Sequence, residues 1–521
     1  MNPHAGSSVS VWMGIAARPD FPSLTQNEHS DVCVVGAGIA GLTTAYLLTK
    51  SGKTVIVLDD GPIVSGETQR TTAHLVTALD KRYFELERLH GENGAKLAAE
   101  SHAVAIDTIE AIIRAEGIDC DFERVDGYLF NAADEEPDLL DRELAAARRA
   151  GLTNTELVDH APSIPFNTGR ALLFRHQAQF HPLKYLAALA LAIVRSGGRI
   201  FTETHATAVN GGESAHVTTS GGSIVSSDAI VIATHTPSND RLILHTKQAA
   251  YRSYVIGVAV PAGTVPKALY WDTGDPYHYI RITGTKDGTP PGQEVLIVGG
   301  EDHKTGQADD ADVRYARLEQ WTRERFPMAT DVRFRWSGQI MQSADGLAFI
   351  GRNPLDYDNV YVVTGDSGTG LMHGTIAGLL ITDLIQGREN PWANLYSPSR
   401  VTLGAAKDFA REAVNSASQY LDWLTDGGVG HNDQILLGTG EVVRHGLTKA
   451  AVYRAPDGTF HECSAVCPHL GGIVRWNHEE KTWDCPAHGS RFDSVGTVLN
   501  GPANENLYPA GALHPIGHAE R

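Results

Sequence analysis

The sequence predicts an α/β nucleotide-binding domain on a parallel sheet, a β-rich substrate-covering sheet and a small C-terminal domain with a metal centre. Three observations carry this. Residues 32–60 read as strand, glycine turn, helix, strand and terminal acid; residues 249–300 are β-rich with Gly and Pro punctuation; and two Cys–His pairs fall close together near the C-terminus.

The first unit opens on Val32-Cys33-Val34-Val35, apolar enough for a buried parallel strand, followed by Gly36-Ala37-Gly38-Ile39-Ala40-Gly41. Gly36 makes the tight turn. Gly38 lets backbone N–H groups approach a pyrophosphate at the helix N-terminus, and Gly41 lets helix and strand pack closely. Ser51-Gly52 stops the helix. A second strand then delivers Asp59 and Asp60 about 20 residues beyond the glycines, where a carboxylate accepts ribose hydroxyls. This grammar fits FAD or NAD equally, and the rest of the chain must decide between them.

At 521 residues the chain has room for about three domains of ordinary size. A net charge of -19 argues against a nucleic-acid surface and against docking on anionic lipid. No apolar run reaches membrane-spanning length and the N-terminus has no signal-peptide pattern, so a cytoplasmic protein without membrane insertion is expected. Five cysteines, three of them late in the chain, suit metal binding better than a disulfide framework.

Taken in order, residues 1–30 form an arm with no expected functional role. Residues 65–74, Ser-Gly-Glu-Thr-Gln-Arg-Thr-Thr-Ala-His, are small and polar and suit backbone approach to a cofactor, although a surface loop has the same composition. Ile106, Ile109 and Ile113 lie on one helix face ended by Gly117, and further helices end at Gly151 and at Gly197-Gly198. Nucleotide-binding grammar returns with strands near 199–201 and 205–209, then a buried strand from 228 that ends in Ala233-Thr234. Within the β-rich stretch, alternation puts Tyr279 and Arg281 on one face. A ligand-facing pair and an ordinary half-buried strand both fit. The strand 360–363 then leads into the glycine-rich turn 364–374, whose following helix has free N–H groups for an electron-rich ring edge. Phe409, Ala413, Ala417 and Leu424 recur at helical spacing, giving a connecting helix over 401–428 that stops at Gly427-Gly428.

The fingerprint, the strand ending Ala233-Thr234 and the late Gly365 to Gly374 element, in this order, resemble the FAD-dependent oxidoreductase superfamily that contains D-amino acid oxidase, glycine oxidase and sarcosine oxidase. The resemblance implies an FAD-binding Rossmann-like domain over 31–400, assembled from separated segments, with an inserted antiparallel α+β substrate domain. It implies that FAD contacts Gly36, Gly38, Ile39, Ala40, Gly41, Asp59, Asp60, Arg70, Thr71, Thr72, Ala73, His74, Ala206, Ala233, Thr234, Gly351, Gly365, Gly368, Gly370 and Leu371. It further implies that Arg281 holds a substrate carboxylate beside Tyr279, and that His74 is a possible flavin attachment point.

Residues 429–521 carry Cys467-Pro468-His469 and Cys485-Pro486-Ala487-His488. Zinc takes Cys₂His₂ sets, but in zinc fingers the two cysteines sit together and two histidines follow. An iron–sulfur centre fits the spacing better, since a Rieske [2Fe–2S] cluster needs two thiolates on one iron and two imidazoles on the other. The segment, including Gly501-Pro502-Ala503, is similar to the Rieske family, which implies an all-β domain with Cys467, His469, Cys485 and His488 as ligands. High-potential members join the two loops by a disulfide; Gly472 and Ala487 stand in those places here. With Ser490 kept and Phe492 where a Tyr is common, the expected potential lies inside the span of about −150 to +300 mV, away from its upper end. Cys463 is expected to be a buried thiol.

A flavin takes electrons in pairs and a Rieske cluster passes them singly, so the expected function is a two-to-one converter. The favoured reaction is dehydrogenation of the C–N bond of a small amine or amino acid, with electrons passing to an acceptor protein or a quinone. Two alternatives stand beside it: an NAD(P)H-driven reductase feeding a partner oxygenase, and a redox sensor without turnover.

Overall fold

The computed structural model of the protein describes residues 6–14, 17–132, 136, 138–162, 164–236, 244–284, 289–424, 431–446 and 448–511. The Gly427-Gly428 boundary and the side chains of Phe409, Ala413, Ala417 and Leu424 lie outside the described residues.

The first sheet runs in the order 349–352, 360–364, 224–232, 28–35, 55–58, 199–201. Strand Glu28–Val35 lies at its centre, parallel to Val55–Leu58 on one side and Ile224–Ile232 on the other. Its last four residues are buried, as an all-apolar strand covered on both faces must be. Helix Ile39–Lys50 packs on Gly370–Ile385 through small residues: a Cβ on Gly378 would lie 2.7 Å from the Thr43 side chain, and one on Gly374 2.8 Å from Ile39. This close approach brings the glycine turns that precede both helices to the same end of the sheet.

The second sheet runs 332–343, 248–261, 293–304, 278–283, 269–272, 123–130, 171–179, 74–75. It is antiparallel except that Leu269–Asp272 lies parallel to Glu123–Phe130. One face shares a core with the first sheet and the other packs on helix Ala311–Arg325 around Tyr254, Ile280 and Tyr315. The C-terminal domain is two small antiparallel sheets, 439–464 and 475–500, closed around Trp476, Trp483 and Phe492. A helix, Ala406–Ser418, and a 3₁₀ turn, Gln419–Leu424, connect the two parts. No helix among the described residues is long and apolar enough to cross a membrane.

Candidate functional site

Where the two large sheets meet, a cavity of about 900 Å³ opens. Its floor at one end is the first glycine turn. Gly36 has φ +105°, and a Cβ there would lie 2.4 Å from the Ala233 carbonyl; a Cβ on Gly41 would lie 1.8 Å from the Gly36 carbonyl. The turn and the helix start can be this close only as glycine. Asp59 accepts from Ala37 N at 2.6 Å and from Gly61 N at 3.0 Å, and burial together with the neighbouring Asp60 holds its carboxyl above the ordinary range. Gly38, Ile39, Ala40, Asp59, Asp60, Thr71, Thr72, His74, Ala206, Ala233, Thr234, Gly368, Gly370 and Leu371 all line this cavity. So does Tyr279.

Other expectations are corrected. Arg281 does not face the cavity: its guanidinium donates to the carbonyls of Thr72, Ala73 and Phe180 at 3.1, 2.8 and 3.3 Å and lies over the Trp12 ring. Alternation does put it on the face of Tyr279, but two residues along the strand that face has passed under the 72–73 loop. Burial pulls its guanidinium down to about 9. Arg281 buttresses the loop, so Arg281→Met should lower stability by roughly 2–3 kcal/mol; urea unfolding at the parent's midpoint would refute this. Arg70 lines the cavity, but its guanidinium is bonded to Ser8, Ser337 and Glu480. Gly41, packed on the Gly36 carbonyl, and Ala73, whose carbonyl accepts from Arg281, do not line the cavity. Gly351 backs onto Pro398 at 3.2 Å, and Gly365 turns against Gln248 and Phe349; neither reaches the cavity.

His74 is half-buried, and desolvation with the charge of Arg281 drives its imidazole down to about 3, so it stays neutral. Its Nδ1 meets Thr72 Oγ1 at 3.1 Å, while Nε2 has no hydrogen-bond partner among the described residues. The arm also belongs to this region, since Trp12 Nε1 donates to Thr71 O at 2.6 Å and Ser10 Oγ to Gln69 O at 2.6 Å.

Sequence reasoning missed the acids opposite Tyr279. Asp302 is pushed up to about 7 by burial, in spite of a hydrogen bond with Ser253, and Asp80 up to about 6 by burial, in spite of Arg82 and Tyr277. Ser253 Oγ and Tyr279 OH are 2.7 Å apart, so Tyr279, Ser253 and Asp302 form one hydrogen-bonded chain. Lys81, Arg82 and Arg411 line the same end. The only sequence signal for Asp302 was an acid ending the apolar strand of residues 295–300.

In the C-terminal domain Cys467 and Cys485 are buried and their sulfurs are hydrogen-bonded to each other. The rings of His469 and His488 lie 5.1 Å apart, and neither nitrogen of His469 has a hydrogen-bond partner among the described residues. Among the described residues no three His, Cys, Asp or Glu close on a single ion. The four side chains present two sulfurs and two imidazoles, the donor types of a binuclear centre. Ser490 bonds Cys467, and a Cβ on Gly472 would lie 3.3 Å from the Ala487 Cβ, so the disulfide position is spatially present but chemically vacated. Cys463, against the Ala451 carbonyl, is a buried thiol raised by burial to about 12.

A family profile described as FAD dependent oxidoreductase (DAO) matches residues 31–384. The chain belongs to that family. A second profile, Rieske [2Fe-2S] domain, matches residues 428–510. The chain is 33% identical over 503 residues to the putative Rieske 2Fe-2S iron-sulfur protein YhfW of Bacillus subtilis, covering 96% of each. It is 27% identical over 396 residues to gamma-glutamylputrescine oxidoreductase of Escherichia coli, covering 72% of this chain and 88% of that one. The solved glycine oxidase of Geobacillus kaustophilus shares the fold with TM-score 0.59 at 19% identity, over 72% of this chain and all of that one.

The flavin domain thus binds FAD and the Rieske domain a [2Fe–2S] cluster, and the residues present fit both groups. The unpartnered Nε2 of His74 and the side-chain-free approach at Gly36 and Gly38 mark the flavin cavity; the bare His469 ring marks the cluster. A bulky residue at Gly38 would meet Thr68 Oγ1, 3.2 Å from the first added carbon, and fill the helix N-terminus. Gly38→Val should weaken FAD binding by about tenfold or more; flavin absorbance after dialysis checks it, and full retention would reassign the cavity.

The two domains are locked together. Glu480 of the Rieske domain lies 3.2 Å from Arg70 and 3.6 Å from Arg252 of the flavin domain, and also accepts from Ser8 and Ser337; Arg491 lies 3.4 Å from Glu67. The glutamate and the three arginines are essentially unexposed. His245 of the flavin domain packs on the ligand rings, 4.6 Å from His469 and 6.0 Å from His488. Gln339, which lines the flavin cavity, donates to the carbonyl of Gly489 beside His488 at 3.0 Å. Tyr420 and Trp423 donate to the carbonyls of Leu470 and Gly471, capping the other ligand loop.

Proposed function

We propose that the protein is a dehydrogenase of a small amine or amino acid, oxidising its C–N bond and delivering electrons singly to an external acceptor protein or quinone. The observation that carries this is Gln339, which lines the flavin cavity and bonds the cluster loop. When bound, FAD supplies a two-electron acceptor and the cluster a one-electron carrier. The chain's own residues do the rest. Asp302 and Asp80 offer carboxyls to an ammonium entering beside Tyr279. A bound ammonium must lose its proton before the C–N bond can be oxidised, and the Tyr279–Ser253–Asp302 chain gives that proton a path to a carboxyl. His74, kept neutral, adds no positive charge to repel the ammonium. The relative whose name is gamma-glutamylputrescine oxidoreductase supports an amine substrate. With Arg281 taken up by the 72–73 loop, it does not contribute to carboxylate recognition.

The pH dependence follows from Asp302. It must be ionised to take a proton, so kcat/KM should rise as pH increases through about 7. Asp302→Asn should remove that limb and slow turnover by about 10²–10⁴-fold; an unchanged profile would remove Asp302 from the reaction. Anaerobic mixing with a panel of amines and amino acids, and separately with NADH, tests the function itself. Bleaching of the flavin by an amine, followed by the signal of reduced cluster, is expected. Bleaching by NADH alone would make the protein a reductase, and no bleaching at all a sensor.

A further inference from the structure

The flavin cavity is not enclosed by the flavin domain alone. Strand Val498–Asn500 of the Rieske domain and the turn after it contribute Val498, Leu499, Asn500, Gly501, Ala503 and Asn504 to the lining. Asn504 Nδ2 donates to the carbonyls of Ala206 and Thr207 at 3.1 and 2.9 Å, and its own carbonyl meets His205 Nε2 at 3.1 Å. His205 in turn lies 3.7 Å from Asp60, so this contact falls at the end of the cavity that holds the two acids of the nucleotide fingerprint. Asn500 Nδ2 donates to Glu67 at 2.8 Å, and its Oδ1 is buried without a partner among the described residues. A buried amide oxygen left bare is destabilising, and a donor on a ligand relieves that cost. On the far side of this wall, Ala503 N donates to Ser490 Oγ at 3.0 Å, and Ser490 bonds the sulfur of Cys467.

We propose that the Rieske domain is part of the FAD site: residues 498–504 close the cavity, Asn500 accepts a hydrogen bond from the cofactor, and Asn504 fixes the Ala206 edge against it. Two hydrogen bonds then separate the cofactor wall from a cluster ligand. FAD affinity depends on how the Rieske domain is seated, and by reciprocity bound FAD holds that domain in place. None of this depends on which substrate is oxidised, so failure of the amine reading leaves it standing.

The test uses the full chain with its cluster in place and its flavin removed, titrated with FAD by flavin fluorescence. Asn500→Leu should raise Kd by about tenfold, with iron, acid-labile sulfide and the electron paramagnetic resonance spectrum of the reduced cluster unchanged. A Kd within about twofold of the parent in a variant whose cluster is intact overturns the proposal. Hydrogen exchange on the unmutated, deflavinated chain gives a second measurement that does not depend on how the variant folds. Adding FAD should slow exchange of the amides in 498–504, and no slowing there overturns the proposal as well.

Discussion

Cys467→Ala abolishes the cluster and with it all transfer to one-electron acceptors, while FAD stays bound and substrate still bleaches it. Cys467 is one of the two thiolates, and no other cysteine can replace it: Cys463 is turned to the Ala451 carbonyl, and Cys33 and Cys120 are buried in the flavin domain. With one thiolate left, one iron loses half its protein ligands. Iron and acid-labile sulfide analysis should fall to background, the visible spectrum should become that of a simple flavoprotein, and turnover with a one-electron dye should fall to the level of free flavin. Unchanged one-electron turnover would mean that electrons leave from the flavin directly. Zinc in place of iron and sulfide, in protein made anaerobically with iron supplied, would mean that the four side chains hold a different metal.

Glu480→Ala has the largest expected effect on stability. The side chain is fully buried between domains, and its removal leaves Arg70 and Arg252 facing each other without the carboxylate that balances them. Loss of one partner from a buried charge cluster costs roughly 3–5 kcal/mol. The pH dependence has a definite sign. Burial alone would raise the Glu480 carboxyl, but Arg70, Arg252 and Arg491 outweigh it and hold the group down at about 2. Its contribution, on the order of 3 kcal/mol, is complete above the unfolded value near 4.5 and is lost as pH falls towards about 2. Calorimetry of the parent and Glu480→Ala between pH 2 and 7 checks this. Equal melting temperatures at pH 7 would show that water has access to the network.

The fingerprint could be read from sequence because it is local: strand, turn, helix and acid lie within residues 32–60, and each glycine answers a contact made by a near neighbour. The Cys–His pairs were legible for the same reason, since each loop carries its own thiolate and imidazole. Arg281 shows where locality ends. Its strand and its face were right, but the carbonyls that consume its guanidinium come from residues 72, 73 and 180, which only the folded sheet brings together. Arg70 is similar, for its partner Glu480 lies 410 residues along the chain. The arm at 6–14 looked idle for want of any pattern, yet Trp12 and Ser8 reach the loop and the network.

That network also fixes an order of events during synthesis. Ser8, Glu67, Arg70 and Arg252 leave the ribosome long before Glu480 and Arg491, so a nascent flavin domain holds two arginines aimed at a carboxylate not yet made. Until the last tenth of the chain emerges, those groups must stay wet and the surface around them open. A chain truncated before residue 480 should therefore keep Arg70 and Arg252 hydrated and melt below the full chain.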